Sequence, residues 1–286
     1  MIRPRPPRPA SRPTPLQAVA DSHLRAVADS IHAALRRVRR TLTIADAESQ
    51  IINGGLGSLT ADWSQFWTLT KADPNYEATY LSVVMDGAEL ASAQFQTAFT
   101  LVNPRAVQIA QTRAAELVVG LSRDSAATLN QTIAAGLGGV RDVRASARIL
   151  RDVVGLDPRR AQGLVTYRLG LSANLSVADV DRLTATYSER ALAQRAITIA
   201  RTETMRAAHD GQRALWDEAI DQGLLDPSRT RTVWLYSDDG RGCDECAALD
   251  GTTVSIGDAY GHGEDMIDGP PAHPQCRCSL ALEFDN

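Results

Sequence analysis

Cysteine is missing from the chain until position 243, and all four cysteines of this 286-residue protein then fall between Cys243 and Cys278. Lysine is scarcer still: Lys71 is the one lysine among 30 basic residues, the rest being arginine. A GC-rich genome accounts for that bias as readily as nucleic-acid binding does, so arginine content assigns no partner. Aromatic residues make up 5 % of the chain, whereas alanine is abundant, a balance that favours helix over strand. No stretch reaches the roughly 18 uninterrupted apolar residues of a membrane span, and the first residues lack the apolar segment of a secretory signal. The expectation is a soluble chain without a membrane anchor, made in the cytoplasm, where thiols stay reduced and metal ligation is favoured over disulfides.

The net charge of −4 conceals a segregation along the chain. Residues 1–40 carry nine arginines against Asp21 and Asp29, while residues 238–286 carry eleven acidic residues against Arg241 and Arg277. A basic start and an acidic end suit partners of opposite sign, although solvated tails look the same in sequence. Within the arm, Arg3, Arg5, Arg8 and Arg12 are the candidate contacts to DNA or to an acidic surface.

Proline recurs through residues 1–15, removing backbone donors and predicting a flexible arm. From Leu16 to about Ile52, apolar residues step by three to five, predicting one helix that the glycines after Asn53 end. Trp63, Phe66 and Trp67 mark a second helical segment, and Asp73-Pro74 and Asn103-Pro104 each read as a cap followed by a first-turn proline. Helices follow over about 125–135 and 140–153. Asp157-Pro158 opens a short helix to about residue 169, and Ser176 to Asp179, at capping-box spacing, opens a long one ending at Gln222-Gly223.

After Pro227 the pattern changes. Residues 232–236, 251–254 and 279–284 read as short strands of one small sheet, and residues 257–269 as a loop rich in Gly and Asp. The expected fold is mainly α: an elongated helical N-terminal body (residues 16–154) behind the arm, then a small α+β C-terminal domain with a Cys/His metal-type site. That domain covers residues 155–286, with helices over 157–222 and a Cys/His-stapled β region over 230–286.

Cys243-x-x-Cys246 delivers two thiolates to one point, and His273, Cys276 and Cys278 offer three candidates for the remaining two positions of a tetrahedral site. Cys243, Cys246 and Cys278 are the safer thiolates; spacing does not choose between His273 and Cys276. Structural zinc is the expected cofactor. A catalytic zinc needs an open position, and the H-x-E with P-C-x-x-C arrangement of zinc deaminases is absent. On the long helix, Glu203 and Arg206, and Met205 and His209, share faces; they read either as an acid–base pair or as an ion pair beside a satisfied histidine.

Taken together, Ala200-Arg201-Thr202-Glu203-Thr204, the strand with Trp234, the CxxC followed by Leu249-Asp250-Gly251, and the closing Pro270-Pro271-x-His273-Pro274-x-Cys276-Arg277-Cys278 resemble the phage Mu protein F-like head morphogenesis family. The resemblance covers about residues 155–284. It implies a minor capsid protein of a tailed phage or prophage, not an enzyme, located in the virion near the portal vertex and in the host cytoplasm during assembly. It implies the portal protein as partner, with major capsid or scaffolding protein, and phage DNA through the arm, as further contacts; entry into the host with the DNA is left open. Arg201 and Glu203 are the helix-motif positions, and the four cysteines with His273 the closing ones. The competing reading is a phage-delivered effector enzyme of nuclease type using the C-terminal domain.

Overall fold

A computed structural model describes residues 14–52, 74–92, 143–237, 242–262 and 265–285, with a few helical positions between 105 and 132. The expectations for the basic arm with Arg3, Arg5, Arg8 and Arg12, for the Trp63 cluster, for the Asn103-Pro104 start and for most of helix 125–135 lie outside the described residues.

The helical region begins with α1 (Pro15–Thr41) and α2 (Ile44–Ile52). The single helix expected from Leu16 to Ile52 is therefore two. The break has a local cause: Thr43 Oγ1 accepts from the Asp46 N–H at 3.1 Å while the Asp46 carboxylate accepts from the Thr43 N–H at 3.2 Å, a reciprocal cap that restarts the helix. The same device starts α1, where Thr14 Oγ1 accepts from Gln17 N–H and Gln17 Oε1 accepts from Thr14 N–H, with Pro15 in the first turn. Then come α3 (Pro74–Ser92), α4 (Val143–Val153), α5 (Pro158–Ser172) and α6 (Val177–Asp221). Two expected starts are present as read: Asp157 caps α5 through the Arg160 N–H, and Ser176 pairs with Asp179 at the head of α6. No described helix is long and apolar enough to cross a membrane.

The C-terminal domain is α+β. A three-stranded antiparallel sheet in the order β2-β1-β5 uses β1 (Thr230–Leu235), β2 (Thr253–Ser255) and β5 (Ser279–Phe284), with Thr232 opposite both Val254 and Leu282. Between β1 and β2 lies a short helix, α7 (Asp244–Leu249), with Cys243 as its N-cap. The loop expected over 257–269 contains a hairpin, β3 (Tyr260–His262) with β4 (Asp265–Ile267); three-residue strands are too short to alternate visibly. Leu249-Asp250-Gly251 now has a physical role. Leu249 is buried, the Asp250 carboxylate accepts from the Tyr236 N–H at 3.1 Å, and Gly251 takes φ +76°, a left-handed turn that returns the chain from α7 to β2. Trp216 of α6, Trp234, Tyr260 and Leu280 form the core beneath, and Trp234 meets Tyr260 edge-on at 5.3 Å.

The chain divides into two compact units. One gathers the rest of α1 after its first half, α2, α4, α5 and the first part of α6. In it Arg168 is buried between Asp181 at 2.5 Å and Asp152 at 3.8 Å, and Glu189 receives His32 and Arg36 of α1. The other unit gathers the start of α1, most of α3, the second part of α6 and everything after it. Inside it, α3 and α6 touch backbone to backbone. A Cβ at Gly211 would lie 1.9 Å from the Val84 carbonyl oxygen, and one at Gly87 would lie 2.3 Å from that of Ala208. Ala88, Ala91 and Leu215 are buried in the same seam.

That approach generates a prediction. Gly211→Ala should lower stability by about 1–3 kcal/mol, the usual cost of overpacking, although alanine is about 1 kcal/mol the better helix former. Gly170→Ala on α5, where a Cβ meets nothing within 4 Å, should be neutral or stabilising. Urea unfolding of the two variants decides it; equal midpoints would contradict the close crossing.

Candidate metal centre

The first half of the site is built by α7. Cys243 is its N-cap, with an extended backbone, and its Sγ accepts from the Cys246 N–H at 3.4 Å while the Ala247 N–H bonds the Cys243 carbonyl at 3.0 Å. A cap that uses sulfur in place of oxygen turns both thiols of the CxxC to one side. Cys246 is buried in the core edge; Cys243 is half-buried.

The second half is a tight turn after Gly269-Pro270-Pro271, whose proline–proline bond is cis. The Cys276 N–H bonds the His273 carbonyl at 3.1 Å, so His273 and Cys276 stand three residues apart on one turn, as Cys243 and Cys246 do. Gln275 adopts φ +64°, uncommon for a residue with a side chain. Its N–H donates to Thr202 Oγ1 at 3.0 Å, and its side-chain carbonyl accepts a long 3.4 Å bond from Arg201. Two residues of the α6 motif thus hold the turn that carries the closing motif.

The halves meet. His273 Nε2 lies 3.1 Å from Cys243 Sγ and 3.1 Å from Cys246 Sγ, and Cys246 Sγ lies 3.8 Å from Cys276 Sγ. Four ligands about 2.3 Å from one ion stand about 3.8 Å apart, so the sulfur–sulfur separation is already that of a tetrahedral edge. Two ligand triads share Cys246: Cys243, Cys246 and His273 in one, Cys246, Cys276 and Cys278 in the other. The cluster is capable of coordinating a metal ion.

His273 also has the tautomer a ligand needs. Its Nδ1 lies 2.9 Å from the Pro274 carbonyl, which only an N–H can satisfy, leaving the Nε2 lone pair facing the two thiols. Proton sharing within the cluster is uneven. Hydrogen bonds from the Cys246 and Cys278 side chains hold Cys276 down to about 2, and the same crowding pushes Cys246 up. Cys278 is pushed up to about 12: its bond to Cys246 opposes the rise, which proximity to Cys276 and burial drive. For Cys243 burial acts upward, but the Cys246 N–H and His273 hold it below the ordinary thiol range. Such a cluster holds some of its sulfurs as thiolates beside others that keep their protons, and suits a cation that replaces the shared protons.

Cys278 differs from the other three. It directly precedes β5, and its sulfur accepts a backbone hydrogen bond from Ser237. Its carbonyl accepts from His209 Nε2 at 3.1 Å, and two residues on, the Leu280 carbonyl is met by Gln212 at 3.4 Å. Arg213 bonds the Asp268 carbonyl. Thr202, His209, Gln212 and Trp216 therefore present one face of α6 to the cysteine region, a spacing of seven, three and four that is visible in sequence only once the partner is known.

The helix-motif residues separate. Arg201 reaches the His273–Cys276 turn, whereas Glu203, 4 % exposed, takes a 2.6 Å bond from Arg206 and is not among the clustered ligands. His209 is buried, its Nε2 bonded to the Cys278 carbonyl while its Nδ1 has no hydrogen-bond partner. Nothing in the sequence marked the Thr202–Gln275, Ser237–Cys278 and His209–carbonyl bonds.

Residues 178–281, a little over a third of the chain, match the family model described as Phage Mu protein F like protein, a head-morphogenesis family. The matched segment runs from the start of α6 into β5 and so contains the whole cluster and the helix face that holds it. No curated protein and no solved structure matches the chain.

Burial pushes the His209 pKa down to about 4, against the bond to Cys278, so the ring is neutral in the fold near neutral pH. A base with a depressed folded pKa binds its proton better when unfolded. Stability should therefore be level above about pH 7 and fall as pH drops from about 6.5 toward 4, a slope largely absent in His209→Gln. Urea midpoints at a series of pH values test this, and parallel profiles for the two proteins would contradict it.

Proposed function

We propose that the chain is a minor capsid or head-morphogenesis protein of a tailed phage or prophage, and that its C-terminal domain is stapled by one structural zinc ion. The observation that carries the reading is the family match over residues 178–281, which falls on the α6 face and on the two turns it holds together. The portal protein is the expected partner, with capsid or scaffolding protein beside it, and the virion is the expected location. The basic arm supplies the contact to DNA.

Zinc is held by Cys243, Cys246, His273 and Cys276. They form two turns of equal spacing, one C-x-x-C and one H-x-x-C, which support each other across the site. Cys278 is a positioning residue, its sulfur and carbonyl tied to Ser237 and His209. The ion supplies a covalent-strength link between segments 27 or more residues apart in sequence, the function of structural zinc in small domains with little core. The effector-enzyme reading loses its residues, because Glu203 and His209 are both buried.

Two measurements test these readings. Purified heads of a phage or prophage encoding the chain should contain it by mass spectrometry, and it should be retained by immobilised portal protein; absence from both would sink the assembly reading. Metal analysis should find one zinc per chain, lost in His273→Ala and Cys276→Ala and kept in Cys278→Ala. Retention in His273→Ala with loss in Cys278→Ala would overturn the ligand set.

A further inference from the structure

Gln17 is out of place on an apolar helix face. It is 1 % exposed, among the largest fully buried side chains, and sits between Leu16 and Ala20, which are buried too. Every polar atom of its amide is used. Oε1 accepts from the Thr14 N–H at 2.8 Å, while Nε2 donates to Ser237 Oγ at 2.8 Å and to the Arg277 carbonyl at 2.6 Å. The last two partners lie 220 and 260 residues away in sequence.

Those partners belong to the cysteine region. Arg277 is the middle residue of Cys276-x-Cys278, and Ser237 is the residue whose backbone bonds the Cys278 sulfur. Arg277 reaches back to Asp21 on the next turn of α1 at 3.5 Å. A single peptide turn thus carries a cluster thiol on either side of a carbonyl that receives the start of α1. Its orientation decides whether the Arg277 carbonyl points at Gln17, and Cys276 and Cys278 fix that orientation.

We propose that Ser237 and the Cys276–Cys278 turn form a docking slot for residues 14–21 of the chain, and that metal binding closes the slot. This rests on the zinc reading above for its closure, though not for the docking itself. Its consequence is that the root of the basic segment is anchored in the metal-bound protein and released when the metal is removed. Gln17 is the specificity element, because an apolar side chain there leaves a buried carbonyl and a buried hydroxyl without their donor.

Hydrogen exchange of the full chain, followed by mass spectrometry with metal content measured in parallel, tests the proposal. Chelation should speed exchange in peptides covering 14–27 by about tenfold or more, together with those covering 273–280. Gln17→Met should speed exchange in 14–27 alone while retaining its metal. Release of 273–280 on chelation with 14–27 unchanged would overturn the gating. Unchanged exchange in Gln17→Met would overturn the slot. A chain that binds no metal would overturn the zinc reading and the gating together, with Gln17→Met still deciding the docking.

Discussion

Thiols crowded together compete for protons, and an imidazole lone pair facing two of them adds a third claimant. Cys246 sits within ligand distance of both halves of the site, buried at the rim of a core made by Trp216, Trp234, Tyr260 and Leu280. In that setting protons shared among sulfurs are a poor substitute for a divalent ion, which neutralises several thiolates at once. The core contains few residues, and the two connections between the strands of its sheet are long, one carrying α7 and the other the β3–β4 hairpin. What holds those connections is the convergence of two four-residue turns, and the rest of the C-terminal domain is arranged around keeping them opposed.

Helix α6 keeps them opposed. Its stretch from Ala200 to Trp216 is nearly wholly buried, with α3 against it at Gly87 and Gly211 and the cysteine region against its Thr202–His209–Gln212 face. Small residues let the helices approach, and polar residues at the other face bond the carbonyls of Cys278 and Leu280. A motif that reads as a surface ion pair in sequence is thus a framework for the His273–Cys276 turn. The co-occurrence of the A-R-T-E-T segment with the closing H-P-Q-C-R-C has a direct physical basis in the Thr202–Gln275 bond.

Local chemistry was legible in the sequence, and long-range chemistry was not. Asp157-Pro158 and Ser176 to Asp179 announced helix starts because a cap needs only neighbours. Thr43 to Asp46 is the same signal, but it was overridden by an apolar stripe, Val38 to Leu42, that runs on through the break. The helical region, the α+β end and the five ligand-type residues followed from composition and spacing. Gln17 against Arg277 did not, since nothing in a TPLQ capping sequence names a partner 260 residues on. His273 and Cys276 looked like competitors for one coordination position; the fold seats both on one turn.

The central claim is that a C-x-x-C and an H-x-x-C turn share one ion. X-ray absorption at the zinc edge of the purified full-length protein tests it most directly. The account predicts three sulfur ligands at about 2.3 Å and one nitrogen at about 2.0 Å, with the nitrogen lost in His273→Cys. A shell of four sulfurs in the unaltered protein, or the absence of any bound zinc, would contradict it.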